Sequence, residues 1–286
     1  MNYWVLQTMN AVSFAGVLFL LSSGFSLVFG LMRIPNMAHG ALFMFGAFVV
    51  AWAVLLGLPF LIAIFVSALA VAALGFMIER WLLRRVAGKE LAQLLASLGA
   101  ALIVADACKL LWGAAPIQVE APSWLRGSTS VGELSFPTYR LFVTMASLVL
   151  AAVLMWIDRR TLIGARVRAA VDDPAMARAM GIRVTALYSG VFAAGSALVG
   201  LAGALGAPLF SATLGLDLEM LPLALVVVVL GGVGSLGGAM VASLITGFIQ
   251  VFGQALFAEF AYVVIYLPMV AMLALRPQGL FGRVSI

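Results

Sequence analysis

The feature that most constrains the fold of this chain is a series of apolar runs that recurs over almost its whole length. Of its 286 residues, 65% are hydrophobic and only 9% are charged, well below the roughly 25% of charged residues in a soluble domain. Backbone N–H and C=O groups in lipid must form hydrogen bonds with one another, so only helices or closed barrels can span a membrane. The runs lack the alternating pattern of barrel strands. The sequence therefore predicts an all-α, polytopic transmembrane fold.

Nine hydrophobic segments are predicted as spans, each long enough to cross or partly cross a hydrocarbon core of roughly 30 Å. They are residues 5–29, 40–57, 60–78, 91–112, 141–157, 185–207, 220–230, 239–257 and 261–275. Because two of them are short or interrupted by glycine, we expect eight to nine crossings, including broken helices. No polar stretch is large enough for another domain, so residues 1–286 are interpreted as a single transmembrane domain.

One basic segment, residues 158–184, interrupts the apolar pattern. Between Asp158 and Arg183 it carries six arginines and three aspartates. In polytopic proteins such residues usually mark cytoplasmic loops, so the net charge of +5 indicates orientation rather than a nucleic-acid partner. With this segment inside, thirteen basic residues lie inside and three outside, the amino terminus lies outside, and the carboxyl terminus lies inside. The three outside are Lys109, Arg126 and Arg140.

A short helix is predicted within this basic segment, over residues 174–180. Asp173 can cap its exposed amides, and Pro174 is tolerated in a first helical turn. Gly181 is typical of a helix stop. The small and soft side chains between them, with Arg178, favour insertion into a partner's cleft, whereas the alternative is a helix that rests on lipid headgroups.

Glycine-rich breaks occur in both halves of the chain. The later break contains Gly231, Gly232, Gly234 and Ser235, and it includes a literal G-x-G-x-x-G pattern ending at Gly237. That pattern lacks the βαβ context and the following acidic residue of a dinucleotide site, and no Walker P-loop exists in the sequence. The earlier break contains Asn36, His39 and Gly40. Paired breaks in two halves are a pointer to a transporter's substrate path.

Several other residues have a functional and a structural interpretation. His39, the single histidine, either contributes to the path or satisfies backbone carbonyls at a helix end. Asp106 and Lys109 are expected to neutralise each other on one helix face rather than relay protons. The external segment 114–139 is either a connecting loop or a docking surface. Cys108 cannot form an internal disulfide, and Ser196, Gly200 and Ala204 predict a helix-contact face.

Four segments together resemble the branched-chain amino acid (Liv-type) ABC importer permeases. They are residues 33–40 (RIPNMAHG), 166–182 (RVRAAVDDPAMARAMGI), 230–238 (LGGVGSLGG) and 276–282 (RPQGLFG). The resemblance spans nearly the whole chain. It implies a bacterial inner-membrane subunit that assembles with a second permease, two cytoplasmic ATPases and a periplasmic substrate-binding protein.

The same resemblance gives roles to the residues above. It implies that Asp173, Pro174, Ala177, Arg178 and Gly181 form a coupling helix that sits in an ATPase groove. It also implies that the two breaks line or gate the path. The chain itself would hold no metal or cofactor, would not be an enzyme, and would contact membrane lipid, while ATP and Mg would bind to the ATPase subunits.

The sequence leaves alternatives open for the transported solute and for the class of membrane protein. Relatives carry urea, short amides, or aromatic and other organic acids, and Ala41 stands where family members commonly have an acidic residue. A stand-alone ion-coupled secondary transporter predicts ionisable residues deep in several spans, yet most charges here lie at predicted span edges. An intramembrane enzyme would need a catalytic constellation in the bilayer, and the sequence contains no obvious one.

Overall fold

The computed structural model describes residues 2–32, 35–131, 134–256, 258–276 and 278–281. Its α-helices follow the predicted spans, with additional short helices between them. They are α1 (Asn2–Met32), α2 (Ala38–Leu55), α3 (Phe60–Trp81), α4 (Glu90–Trp112), α5 (Thr138–Arg160), α6 (Leu162–Asp172), α7 (Pro174–Ala179), α8 (Val184–Phe210), α9 (Leu216–Gly231), α10 (Leu236–Leu256) and α11 (Ala261–Leu275). Short 3₁₀ turns occupy Leu83–Val86, Ser123–Leu125 and Ala258–Phe260. The all-α polytopic prediction is confirmed.

Helices are present at all nine predicted spans, but they differ in length. Seven are long and apolar enough to cross a membrane, namely α1, α2, α3, α4, α5, α8 and α10. The 16-residue α9 extends about 24 Å at 1.5 Å per residue, which is shorter than a hydrocarbon core. α11 is similarly short, with 15 residues. The predicted number of crossings, eight to nine, is therefore larger than the number of long spans (seven) and no larger than the number of helices at predicted spans (nine).

The helices run alternately between two ends of the bundle. We call the end that carries α6 and α7 the basic end. The opposite end carries a two-stranded hairpin, β1 (Ser128–Val131) antiparallel to β2 (Leu134–Pro137), and we call it the hairpin end. The hairpin lies in the external 114–139 segment, for which no strands were predicted. A backbone bridge between Ile117 and Ala212, with both N–O distances 2.9 Å, ties this segment to the chain that follows α8.

Helices α1, α2 and α8 form the interior of the bundle. In their apolar windows 72%, 78% and 72% of residues are buried, against 28% in α4 and 17% in α5. α4 and α5 therefore present apolar side chains outward, as expected for surfaces that meet lipid or another membrane subunit. The outward side chains include Leu102, Ile103, Leu110, Met145, Val149 and Trp156.

Small residues allow α8 to approach its neighbours closely. A Cβ atom on Gly24 of α1 would overlap the carbonyl oxygen of Gly195, and one on Gly46 of α2 would lie 3.0 Å from Gly200 Cα. Gly75 of α3 faces Ser196 in the same way. The predicted small-residue contact face of α8 is thus confirmed, because backbones can approach this closely only where side chains are minimal.

The expected pairing of Asp106 with Lys109 is wrong. Both side chains are exposed on α4, and in the described part of the chain the ion pairs within 4.0 Å are Arg126–Glu120 and Arg168–Asp158. A pair at i and i+3 on an exposed helix gains little from Coulomb attraction in water, so the two side chains remain separate.

Candidate functional site

The short helix α7 forms where the sequence predicts it, for the predicted reasons. The Asp173 carboxylate accepts hydrogen bonds from the amides of Ala175 and Met176, at 2.9 and 3.0 Å. Pro174 occupies the first turn. Gly181 follows the helix with φ of +82°, a left-handed conformation that glycine adopts without steric cost.

A preceding helix, α6, was not predicted. Thr161 caps α6 by accepting from the Gly164 amide at 3.3 Å, and Arg168 forms an ion pair with Asp158 at 2.8 Å. This pair ties α6 back to the end of α5. The available sequence signal was a threonine, a common N-cap residue, three residues before Gly164.

A small apolar cluster attaches α6 and α7 to α8. Ala170, Ala177 and Val184 are buried together, with Ile182 and Leu187 packed against them. Ala177, which the resemblance assigns to ATPase contact, therefore faces the interior of this unit. Such a cluster makes α7 move together with the start of α8.

The outward side of the α6–α7 unit carries apolar and basic side chains. Met176 and Met180 are 60% and 77% exposed, and Leu162 and Ile163 are 76% and 60% exposed. Arg178 is exposed on the same short helix as the methionines. We call these five residues the α6–α7 surface. Exposed methionines suit a protein interface, because their flexible thioethers adapt to a partner.

The first glycine break is a capped turn between α1 and α2. Asn36 accepts the Ala38 amide with its side-chain oxygen at 3.1 Å, and its Nδ2 lies 3.3 Å from His39 Nδ1. His39 is fully buried and packs edge-on to Phe25 with ring centroids 5.1 Å apart, while its Nε2 atom has no hydrogen-bond partner among the described residues. Both residues therefore make contacts that stabilise the start of α2. Arg33 and Ile34 of this segment lie outside the described residues.

Gly40, in the first turn of α2, lies directly against α9. A Cβ atom there would overlap the Asp217 carbonyl oxygen and would lie 2.9 Å from Leu221 Cβ. The need for glycine at this position comes from helix packing, because no side chain fits between the two backbones.

The second glycine break is the turn between α9 and α10. Gly232 and Gly234 have φ of +93° and +76°, and the Ser235 hydroxyl accepts the Gly238 amide at 3.0 Å. Gly231 and Gly238 are in backbone contact, since a Cβ on Gly231 would lie 2.5 Å from the Gly238 carbonyl carbon. The turn is consequently compact and lies at the basic end.

The end of α1 meets the second break. A Cβ on Gly30 would lie 3.0 Å from Gly234 Cα, and the Gly234 amide donates to Ser26 Oγ at 3.1 Å. The carboxyl-terminal tail joins the same junction: the amides of Leu280 and Phe281 donate to the carbonyls of Leu230 and Gly231 at 2.8 and 3.1 Å. Pro277 and Gly282 of the tail lie outside the described residues.

The α7 helix is not part of this junction, but a cleft connects it with α1 and α3. The cleft has a volume of about 350 Å³, and its walls include Val28, Glu79 and Arg178. The buried Glu79 carboxylate accepts a hydrogen bond from Ser189 of α8 at 2.6 Å. The cleft therefore connects the coupling helix with α1 and α3. Of the predicted path residues, Gly40 packs on the first turn of α9, whereas Gly231, Gly232, Gly234 and Ser235 lie at its other end.

A polar cavity at the hairpin end was missed by the sequence analysis. It has a volume of about 800 Å³ and lies among the ends of α1, α5, α8, α9, α10 and α11. Its polar walls include Asn10, Arg140, Glu219 and Gln250. The signal available in the sequence was a set of isolated amide and charged residues near predicted span ends, but only packing brings them together.

Comparisons with known proteins agree with this architecture. Residues 7–273 match the family described as branched-chain amino acid transport system / permease component. The high-affinity branched-chain amino acid transport system permease protein LivH of Salmonella typhimurium is 27% identical over 301 aligned residues, which cover 99% of this chain and 97% of LivH. The corresponding permease protein BraD of Pseudomonas aeruginosa is also 27% identical, over 303 aligned residues with the same coverage.

Among solved structures, PsaBC from Streptococcus pneumoniae in complex with Fab has a similar fold. The TM-score is 0.52 at 16% identity, and the alignment covers 93% of this chain and 88% of that chain.

Proposed function

Since the chain belongs to the permease-component family of branched-chain amino acid transport systems, we propose that it imports a branched-chain amino acid. It is a transmembrane permease subunit of an ABC importer, as its full-length relatives are permease proteins of such transport systems. The proposed cargo is inferred from the names of those relatives. Urea, an amide or an aromatic acid are the cargoes that a direct transport assay must exclude.

The importer would consist of this chain, a second related permease, two cytoplasmic ATPases and a periplasmic substrate-binding protein. ATP and Mg would bind to the ATPases, so this chain would perform no hydrolysis. The family match concerns a permease component, which supports a role for this subunit in forming the passage for the solute.

The orientation in the inner membrane follows from charge. We place the basic end in the cytoplasm, because it carries Arg159, Arg166, Arg178 and most other basic residues, and such residues are retained on the cytoplasmic side. The amino terminus would then be periplasmic and the carboxyl terminus cytoplasmic. The hairpin end would face the substrate-binding protein.

We assign the mechanical link to the ATPases to α7. The exposed surface of this helix and its attachment to α8 are the observations that carry the proposal. Its exposed Met176, Arg178 and Met180 offer a partner an apolar and basic surface, while Ala177 fixes it to α8. A shift imposed on α7 by ATPase closure would reach α8, whose close contacts with α1, α2 and α3 pass through small residues. Packed elements of this kind move as rigid units rather than deform.

Purification in mild detergent tests the assembly. We expect an ATPase to co-purify with the wild-type chain. The variant Met180→Glu, which places a charge on this surface, and the charge-reversed variant Arg178→Glu should each lose most of it. Arg85→Glu is the matched control for Arg178→Glu, because Arg85 is also an exposed arginine at the basic end but lies outside the α6–α7 surface. Equal ATPase recovery from all variants would refute the role of α7.

Transport by the assembled complex tests the cargo. In proteoliposomes with the substrate-binding protein, ATP inside should drive uptake of labelled leucine, isoleucine or valine. Accumulation without ATP, or uptake of urea and amides alone, would overturn the proposal.

A further inference from the structure

The polar cavity at the hairpin end is large enough for a small solute. Its volume of about 800 Å³ lies within the usual range of ligand pockets, roughly 300–1,000 Å³. On the inner side of the cavity, α10 packs tightly on α1: a Cβ on Gly247 would lie 2.8 Å from Ala15 Cβ and 2.9 Å from the Ala11 carbonyl oxygen. This contact separates the cavity from the space between α1 and α10.

Arg140 provides a positive charge without a carboxylate partner. Its side chain is half-buried in the first turn of α5 and donates through Nη1 to Asn10 Oδ1 of α1. Across the described ranges, no acidic side chain forms an ion pair with it within 4.0 Å. A half-buried guanidinium in a membrane protein normally has a counter-ion or marks a functional site. Its planar donors fit a carboxylate well.

Gln250 provides an acceptor that the protein leaves unused. The Gln250 side chain lines the cavity, and its Oε1 atom is buried with no hydrogen-bond partner within the described part of the chain. Because buried polar atoms are normally paired, we expect this amide to turn toward the cavity and accept from a donor on a ligand. The exposed Glu219 carboxylate lies on the same cavity and adds negative charge for a cationic group.

Part of the wall is apolar. Phe14 and Phe210 pack edge to face with ring centroids 5.8 Å apart, and Leu223 and Ile265 lie on the same cavity. Such a wall favours a ligand with an apolar side chain, because burying that side chain removes apolar surface from water.

We propose that this cavity binds the zwitterion of an α-amino acid with an apolar side chain. The Arg140 guanidinium holds the carboxylate, Gln250 Oε1 accepts from the ammonium group, and the aromatic wall receives the side chain. The inference rests on the proposed function and adds to it a cargo site within the permease itself, in addition to any site on the substrate-binding protein.

Direct binding to the assembled permease–ATPase complex in nanodiscs tests the site, with the substrate-binding protein omitted. The probes are L-leucine, L-leucinamide, which lacks the carboxylate, and 4-methylpentanoate, which lacks the ammonium group. We expect the wild type to bind leucine at least about tenfold more tightly than either analogue, because a hydrogen bond to a charged group contributes about that factor.

Two variants test the carboxylate contact and the ammonium contact separately. Arg140→Gln should weaken leucine binding about tenfold and remove the preference for leucine over leucinamide. Gln250→Leu should remove the preference for leucine over 4-methylpentanoate and leave the carboxylate preference intact. Because Gln250 makes no hydrogen bond that links helices, its variant provides the test even if Arg140→Gln fails to assemble. Arg126→Gln is the control, since Arg126 is exposed and pairs with Glu120 at 2.5 Å, away from the cavity.

The inference and the proposed function can fail separately. If the complex takes up leucine with ATP while Arg140→Gln and Gln250→Leu retain both preferences, the cavity site is refuted and the importer stands. If the variants lose these preferences but no ATP-driven uptake occurs, the site stands and the proposed function is refuted. A wild-type complex that binds none of the three probes refutes the site.

Discussion

Gly30 of α1 and Gly234 of the α9–α10 turn lie backbone to backbone, so that a Cβ on Gly30 would lie 3.0 Å from Gly234 Cα. This contact joins α1 to the second glycine break at the basic end. The Gly234 amide donates to Ser26 of the same helix as Gly30, and the tail around Gly279 covers the other side. The junction holds α1, α9, α10 and the carboxyl-terminal tail together without bulky side chains.

Replacing Gly40 should destabilise the protein. In Gly40→Ala the new methyl group would overlap the Asp217 carbonyl oxygen, and overpacking of this kind costs about 1–3 kcal/mol. The control is Gly99→Ala on α4, where no atom lies within 4 Å of the new methyl group. Alanine is a better helix former than glycine, by about 0.5–1 kcal/mol. Thermal unfolding in detergent should show a lower midpoint for Gly40→Ala and an equal or higher midpoint for Gly99→Ala, and the reverse order would contradict this packing.

Two buried serines should differ in their contribution to stability. Ser67 donates to the Gly46 carbonyl at 2.8 Å and lies 3.3 Å from the Gly200 carbonyl, so it connects α2, α3 and α8. Ser196 is equally buried, but its hydroxyl has no partner among the residues described. Ser67→Ala should therefore cost about 1 kcal/mol, while Ser196→Ala should leave the unfolding midpoint unchanged or slightly raised. Equal losses in both variants would mean that hydrogen bonding of Ser67 is unimportant.

The carboxyl-terminal tail should detach in Gly279→Ala. Gly279 has φ of +77°, and a Cβ would lie 2.5 Å from the Gly232 amide nitrogen. Gly113→Ala is the matched control, because Gly113 has φ of +85° with open space around it, so only the conformational cost of about 1–2 kcal/mol remains. Hydrogen exchange measured by mass spectrometry should accelerate at the amides of Leu280 and Phe281 in Gly279→Ala alone. Unchanged protection there would show that the tail is not held by this contact.

The Asp173 cap should matter for coupling. Asp173→Ala removes the acceptor of the Ala175 and Met176 amides, which costs a short helix about 1 kcal/mol. Asp173→Asn keeps a side-chain oxygen at that position and should restore the cap. The readout is the ATPase activity that the loaded substrate-binding protein stimulates in the assembled complex. We expect a reduced stimulation for the alanine variant and near-normal stimulation for the asparagine variant; a loss in both would indicate that the charge, rather than the cap, is required.

The helices were predictable to within a few residues because their signals are local. Apolar length, proline and glycine positions and capping side chains act over one or two helical turns, and α7 begins and ends as Asp173, Pro174 and Gly181 predict. The hairpin in 114–139 and helix α6 were not predicted. Their stability depends on neighbours, such as the Ile117–Ala212 bridge and the Arg168–Asp158 pair, that lie elsewhere in the chain.

A helical membrane protein with a basic end and a capped helix in it follows from the order of the residues alone, because hydrophobicity, charge and capping are properties of single residues and their near neighbours. The packing of the helices was needed to find that Ala177 faces inward, that Gly30 meets Gly234, and that Arg140 shares a cavity with Gln250. These relationships join residues far apart in sequence. They depend on which helix faces pack together, and in a chain that is apolar on nearly all sides the hydrophobic pattern does not specify those faces.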